Sequence, residues 1–184
     1  SAAEATTGNA AEFRGQDVSD DIDAARNKFT DDVWLRTGDV GSITQDGFLT
    51  VSDRARDVIH SGGEWIYSVG LENLVMASEK VVECAVIGYP NEKWNERPLA
   101  VAVLHADIPR DESTARELRD YLRESLPNWM TPEYWAFVDS IDKTSVGKFD
   151  KKDLREHLKA GRLEVITLPG PGERGNDDNG PQSD

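Results

Sequence analysis

The run Lys143-Thr144-Ser145-Val146-Gly147-Lys148-Phe149-Asp150-Lys151 sets one lysine at the tip of a small-residue loop, just ahead of a helix start. Gly147 lets the backbone turn sharply, and Lys148 extends from it as a mobile point charge. Asp150 is placed to cap the following helix, with Asp153 in its first turn. A lysine held this way suits a site where negative charge builds up on a phosphoryl or carboxylate group. A solvated lysine in a turn fits the same residues. The run is not a Walker-type phosphate loop, which needs G-x-x-x-x-G-K-[ST]. Here Phe149 follows Lys148, and no glycine lies five residues before Gly147.

Two further stretches bring chemistry-bearing residues together. Asp53-Arg54-Ala55-Arg56-Asp57 is a charged cluster, followed by Val58-Ile59, the pair Gly62-Gly63, then Trp65-Ile66 and a helix start near Ser68. Adjacent glycines admit backbone conformations closed to other residues and let a ligand chain pass close to the main chain. They equally make a hairpin turn joining Val58-Ile59 to Trp65-Ile66. Upstream, Thr37-Gly38-Asp39 places a carboxylate after a Gly turn. Such a carboxylate accepts two hydrogen bonds from a vicinal diol such as ribose, or caps its own turn.

The elements that position these residues alternate between strand and helix. Phe48 to Val51, Val58-Ile59, Val81 to Ile87, Leu99 to His105 and Tyr134 to Val138 read as strands, the third and fourth of them buried. Ser68 to Ser78 reads as a helix capped by Ser68, with Leu71, Leu74 and Val75 inward. Ala115, Leu118, Leu122 and Leu126 share a helical face, Thr114 and Glu117 form a capping box, and Pro127 ends the helix. Asp150 to Leu158 is the last helix. The pattern predicts an α+β fold, a small mixed sheet with packed helices, between disordered termini. The 184 residues leave room for one modest domain plus flanks.

Composition narrows the function. With 35 acidic and 21 basic residues the net charge is −14, which argues against a nucleic-acid partner. The longest apolar run, Leu99 to Leu104, is too short for a transmembrane segment, and no stretch reads as a secretion signal. The single cysteine, Cys84, excludes an internal disulfide and a Cys-based zinc site, and reads as a small buried hydrophobe. His105 and His157 have no partners at ligand spacing, so the sequence offers no metal site.

The order T-G-D, then G-F-L-x-x-x-D-R-x-R-D-x-I-x-x-G-G-E-W-I, then K-T-S-V-G-K-F-D-K about a hundred residues on, resembles the adenylate-forming acyl-CoA synthetases. Within that superfamily, G-G-E-W-I, Asn91-Glu92-Lys93-Trp94-Asn95-Glu96-Arg97-Pro98 and K-T-S-V-G-K-F-D-K look most like bacterial medium- and long-chain fatty acid–CoA ligases. The resemblance covers roughly residues 33 to 160 and implies the fold of an AMP-binding enzyme C-terminal domain. It implies a poorly structured segment at 1–32, a remnant of the large N-terminal domain at 33–53, the mobile C-terminal domain at 54–160 and a disordered tail at 161–184. The large domain, which binds ATP and the fatty acid substrate and carries an upstream phosphate loop, is then the missing partner.

The resemblance also implies roles in two half-reactions. Lys148 would bridge the attacking carboxylate and the α-phosphate of ATP while acyl-adenylate forms. Arg56 would be the hinge about which the domain then swings. Gly62 and Gly63 would line the tunnel for CoA, with Trp65 beside it. Asp39 would hold the ribose hydroxyls and Arg54 would contact the nucleotide. Mg would accompany ATP, and the enzyme would be cytoplasmic. Two departures stand out: many relatives carry lysine at Arg56, and often an acidic residue at Gly70. Alternatives are a stand-alone nucleotide- or CoA-binding or interaction module, and the same domain of a carrier-protein-loading fatty acyl-AMP ligase. Isolated, the chain would be inactive.

Overall fold

The structure, a computed structural model, describes residues 37–145 and 147–170. The chain divides into two compact units, Ser1–Asp39 and Val40–Asp184. The segment expected to be poorly structured at 1–32, Trp34, and the tail from 171 to 184 lie outside the described residues.

The first described elements are strands β1 (Asp39–Ile43) and β2 (Leu49–Arg54), paired as a two-stranded sheet. This ribbon is exposed: Ile43, Phe48, Leu49 and Val51 keep 57–73% of their surface in water. A turn closes after β2, where the Asp57 and Val58 N–H groups donate to the Arg54 carbonyl at 2.8 and 3.1 Å. There follow β3 (Ile59–Ser61), β4 (Glu64–Ile66), helix α1 (Ser68–Met76), β5 (Val81–Asn91), β6 (Asn95–Leu104), α2 (Glu112–Arg123), β7 (Tyr134–Phe137), α3 (Lys151–Lys159) and β8 (Ile166–Thr167).

Strands β3 to β8 form one six-stranded sheet. β6 pairs along its whole length with β5, antiparallel, from Val81↔Leu104 to Asn91↔Asn95. Its other edge pairs with β7 in parallel over Leu99–Ala102, and touches β3 at Asn95. The sheet is therefore mixed, as the sequence predicts. Both faces are covered. Cys84, Val86, Ala100 and Ala102 pack with α1 and α2 residues such as Leu71, Val75, Leu118 and Leu122. Ala85, Ile87, Leu99 and Val101 pack on the opposite face with Ile141 and Leu154 of α3. Alternation along each strand thus feeds two cores, which is why β5 and β6 read as unbroken apolar runs.

The strands outrun their sequence signals. Gly88, Pro90 and Pro98 are poor strand residues, yet β5 and β6 continue through them as a hairpin. Pro98 stands opposite Gly88 in that ladder, one residue before β7 joins the other edge of β6 at Leu99. Caps differ as well. α1 begins at Ser68 behind Tyr67, which makes no capping bond. In α2 the cap is Asp111, whose Oδ1 accepts from Thr114 N–H at 2.9 Å. Thr114 is a third-position residue here, and Glu117 pairs with Lys80 instead.

Residues 161–170 also depart from the expected tail. Ile166–Thr167 pair with Trp135 and Tyr134 of β7. Leu168 is 1% exposed, and its N–H donates to the Glu133 carbonyl at 2.8 Å. Arg119 of α2 donates to the Pro169 carbonyl at 3.2 Å. A two-residue strand is too short to show a period, and its order comes from partners already fixed in the fold.

Arg97 ties the β6 start to the loop before β7. It is 2% exposed. It donates to Ser61 Oγ at 3.1 Å, to the Trp129 carbonyl, and to Glu133 Oε1 at 2.8 Å in an ion pair. Removing one partner of a buried pair leaves the other charge uncompensated, at a cost of about 3–5 kcal/mol. Arg97→Ala is expected to lose that much stability in urea unfolding, and a loss below about 1 kcal/mol would refute the assignment.

Candidate functional site

The loop carrying Lys148 is a closed hairpin. Lys143 and Phe149 form an antiparallel bridge. Thr144 N–H donates to the Lys148 carbonyl at 2.7 Å, Gly147 N–H to the Thr144 carbonyl at 2.8 Å, and Asp150 N–H to the Asp142 carbonyl at 2.8 Å. Gly147 has φ +78° with open space around its Cβ direction, so the backbone conformation, not crowding, calls for glycine there. Phe149 packs into the α3-side core. Lys143 pairs with Glu83 of β5. Asp150 caps α3, its Oδ1 accepting from Lys152 and Asp153 N–H at 3.1 Å each. Base and exit of the loop are therefore fixed to sheet and helix. Lys148 itself is exposed, and its side chain makes no ion pair among the described residues.

The glycine pair forms the turn of the β3–β4 hairpin, with Ile59↔Ile66 and Ser61↔Glu64 in register. Gly62 and Gly63 have φ +60° and +89°. A Cβ on Gly62 would lie 2.7 Å from the Trp94 ring, and Gly62 N–H donates to the Trp94 carbonyl at 2.8 Å. Gly62 is thus required both by its backbone and by close packing, while Gly63 faces open space. The turn between β5 and β6, braced by Asn91 Oδ1 accepting from Lys93 and Trp94 N–H at 3.0 Å each, forms the wall against which Gly62 packs. Trp94 and Trp65 are 40% and 53% exposed. The His60 ring meets Trp65 edge-on at 5.5 Å.

The lysine loop and the glycine turn lie at opposite ends of one strand. The loop is tied to Glu83 and the glycine turn packs beyond Asn91. Eight steps along the strand at about 3.3 Å each put Glu83 and Asn91 about 26 Å apart.

Between β2 and β3 lies the charged cluster. The Arg56 side chain is 75% exposed, with Nε 4.0 Å from Asp57 Oδ2. Asp57 is 8% exposed and pairs with Arg155 of α3 at 2.6 Å. The same Arg155 nitrogen donates to the Arg56 carbonyl at 3.1 Å. Arg54 ends β2. Asp39 begins β1, is exposed, and its N–H donates to Thr37 Oγ1 at 3.2 Å. A cavity of about 470 Å³ opens beside Arg56, lined by Asp57, Tyr89, Glu96, Arg155 and Lys159 among others.

Sequence reasoning missed the buried polar chain that joins these parts. Lys151 Nζ lies 2.7 Å from Glu72 Oε1 and donates to Ser68 Oγ at 2.6 Å. Glu72 accepts from Val86 N–H at 2.8 Å. Ser68 donates to Asp53. The signal was present as spacing: Asp53 and Asp57 are four apart, as are Lys151 and Arg155, with opposite signs. Cys84 lies in the same interior. Burial first, then the nearby Glu72 carboxylate, push its thiol well above the ordinary range, against a smaller opposing pull from Lys151. The thiol stays protonated and inert. No group of three or more His, Cys, Asp or Glu among the described residues could hold a metal, and no described helix is long and apolar enough to cross a membrane.

Residues 70–148 match the family described as AMP-binding enzyme C-terminal domain. The long-chain-fatty-acid–CoA ligase of Thermus thermophilus is 43% identical over 138 residues, 74% of this chain and 25% of that protein. The medium-chain-fatty-acid–CoA ligase of Ectopseudomonas oleovorans is 43% identical over 125 residues, 68% of this chain and 22% of its own length. Among solved structures, ATP-bound MatB from Rhodopseudomonas palustris superposes with TM-score 0.66 at 30% identity, covering 75% of this chain and 27% of that one. A Mycobacterium tuberculosis fatty acyl CoA synthetase gives TM-score 0.57 at 35% identity, covering 75% and 26%. The chain spans about a quarter of the length of the curated relatives it matches. Over residues 70–148 this chain belongs to the AMP-binding enzyme C-terminal domain family, the domain it shares with acyl-CoA ligases.

Proposed function

We propose that this chain is the C-terminal catalytic part of an ATP-dependent fatty acid–CoA ligase, working with a large domain that holds ATP and the acyl chain. The observation that supports the reading is that the lysine hairpin and the glycine turn are anchored near opposite ends of β5, at Glu83 and beyond Asn91, on a strand buried on both faces along its middle. A rigid body of this kind offers one end at a time to a single site. Two half-reactions that share a site but need different groups call for such a body.

On this reading Lys148 serves the first half-reaction. Its ammonium sits between the fatty acid carboxylate and the α-phosphate and offsets charge that grows as acyl-adenylate and pyrophosphate form. Charge stabilisation that strengthens toward the transition state raises the rate rather than only the affinity. The hairpin base is fixed through Phe149, Glu83 and the Asp150 cap, so the lysine reaches from a preorganised platform. Arg56 is the hinge. After the swing, the turn at Gly62 and Gly63 meets the pantetheine arm of CoA, where side chains would obstruct, and Trp65 offers an indole beside it. The thiol then displaces AMP. Asp39 holds the ribose hydroxyls and Arg54 the nucleotide nearby. Magnesium enters with ATP, bound through phosphates and water, and we assign it no ligand on this chain. Cytoplasmic residence, close to ATP and CoA, is part of the same proposal.

The chain by itself is expected to release pyrophosphate from ATP and fatty acids only at background; steady turnover by the purified 184 residues would defeat the reading. In the complete enzyme, Lys148→Ala is expected to slow adenylation about a hundredfold or more, equivalent to about 3 kcal/mol, and to spare thioester formation from preformed acyl-adenylate. Equal losses in both steps would make Lys148 a folding residue. Arg56 stands third in the turn closed by Asp57 N–H on the Arg54 carbonyl, where proline is disfavoured and φ becomes fixed. Arg56→Pro is therefore expected to leave one half-reaction near wild type and depress the other by at least about tenfold in single-turnover assays. Wild-type rates in both would remove Arg56 as the hinge.

A further inference from the structure

The N-terminus of α1 is closed from a distance. Its own N-cap makes no side-chain bond and its first turn holds no acidic residue. Asp53, at the end of β2, supplies both functions. Its Oδ2 accepts from Ser68 N–H at 2.5 Å and from Ser68 Oγ at 2.7 Å. Asp53 is 5% exposed and Ser68 fully buried. A carboxylate so placed accepts charge-assisted hydrogen bonds and meets the positive end of the helix dipole. The hydroxyl gives its one proton to Asp53 and accepts from Lys151 Nζ, and Lys151 in turn pairs with Glu72. A buried chain of carboxylate, hydroxyl, ammonium and carboxylate runs from β2 through α1 to α3. Lys151 stands three residues past Lys148, in the first turn after the hairpin.

Of these residues only Asp53 precedes Arg56. A rotation about the Arg56 backbone bonds carries Ser68, Glu72 and Lys151 together and leaves Asp53 behind. The Arg155 contacts behave differently. Arg155 holds Asp57 and the carbonyl of Arg56 itself, and both move with the domain when the Cα–C bond of Arg56 turns. One set of contacts therefore marks the edge of the moving body, and the other spans the hinge. Gly70 sharpens the effect, because the first turn of α1 has no acid of its own to take over once Asp53 departs.

We propose that Asp53 is a removable helix cap: a positioning residue that holds the pose described here by closing α1 and the Lys151 chain across Arg56, and that must be given up for the domain to reach its other pose. This rests on the hinge reading of Arg56 above. Ser68 is the mating surface and Lys151 the group that pre-aligns its hydroxyl. The bias belongs to the pose equilibrium, so its loss shifts populations and does not touch the reacting atoms.

The test uses the complete enzyme with Ser68→Ala and, separately, the isosteric Asp53→Asn. Single-turnover rates of acyl-adenylate formation and of thioester formation from preformed acyl-adenylate are measured for each. The expected result is that the two rates move in opposite directions, changing their ratio by about tenfold for Ser68→Ala, with Asp53→Asn moving it the same way. A structural defect would lower both rates alike. Parallel losses, or no change, in Asp53→Asn overturn the cap, and a thermal melt shows whether Ser68→Ala still folds. Arg56→Pro, run alongside, separates the two ideas. If it still splits the half-reactions while Asp53→Asn does not, only the cap falls. If Arg56→Pro completes both steps at wild-type rates, the hinge falls and the cap with it.

Discussion

The burial of β5 and β6 on both faces is the constraint from which the rest of the structure follows. Ala85, Ala100 and Ala102 are fully buried at the centre of the sheet. Helices α1 and α2 press on one face, and α3 with the Phe149 base on the other. Interiors packed this way do not bend continuously. The distance from Glu83 to Asn91 is consequently a fixed length, and the groups at its two ends cannot approach each other by flexing. What remains adjustable is orientation, and the short turn at Arg54–Asp57 is where β2 gives way to the sheet.

The polar interior is organised around that turn. Arg97 fastens the β6 start to the Trp129–Glu133 loop. α3 grips the other side, Lys151 through Ser68 and Glu72, Arg155 through Asp57. Buried charges contribute little net stability, but each demands one partner in one geometry. α3 also carries the hairpin on its own N-cap. The orientation of the Lys148 loop is thereby tied to the same few ion pairs that α3 makes with Glu72 and Asp57.

Much of this was legible in the sequence where the signal is local. The Asp150 cap, the Leu118–Leu122 face of α2, the strand runs at Val81 and Leu99 and the glycine turn all appear where nearby residues dictate them. Misses share one cause. Thr114 with Glu117 looks like a capping box, yet Asp111 takes the cap because Glu117 has Lys80 to pair with. Ser68 looks like a cap, yet stands inside the helix because Asp53 arrives from fifteen residues away. Ile166–Thr167 look like the start of a tail until the β7 edge is in place to receive them. Short-range chemistry proposes several arrangements, and long-range partners select among them.

The exposed β1–β2 ribbon has a consequence for the protein as a material. Two strands alone are marginal in water. Four large apolar side chains on Ile43, Phe48, Leu49 and Val51 face solvent, on or beside two strands that pair with no third strand among the described residues. Against this stands a net charge of −14, whose mutual repulsion keeps molecules apart at low ionic strength and fades once salt shortens its reach to about 8–10 Å. Colloidal behaviour is then set by a contest between one sticky ribbon and a diffuse negative cloud. Added salt, which leaves the two cores untouched, tips that contest toward self-association.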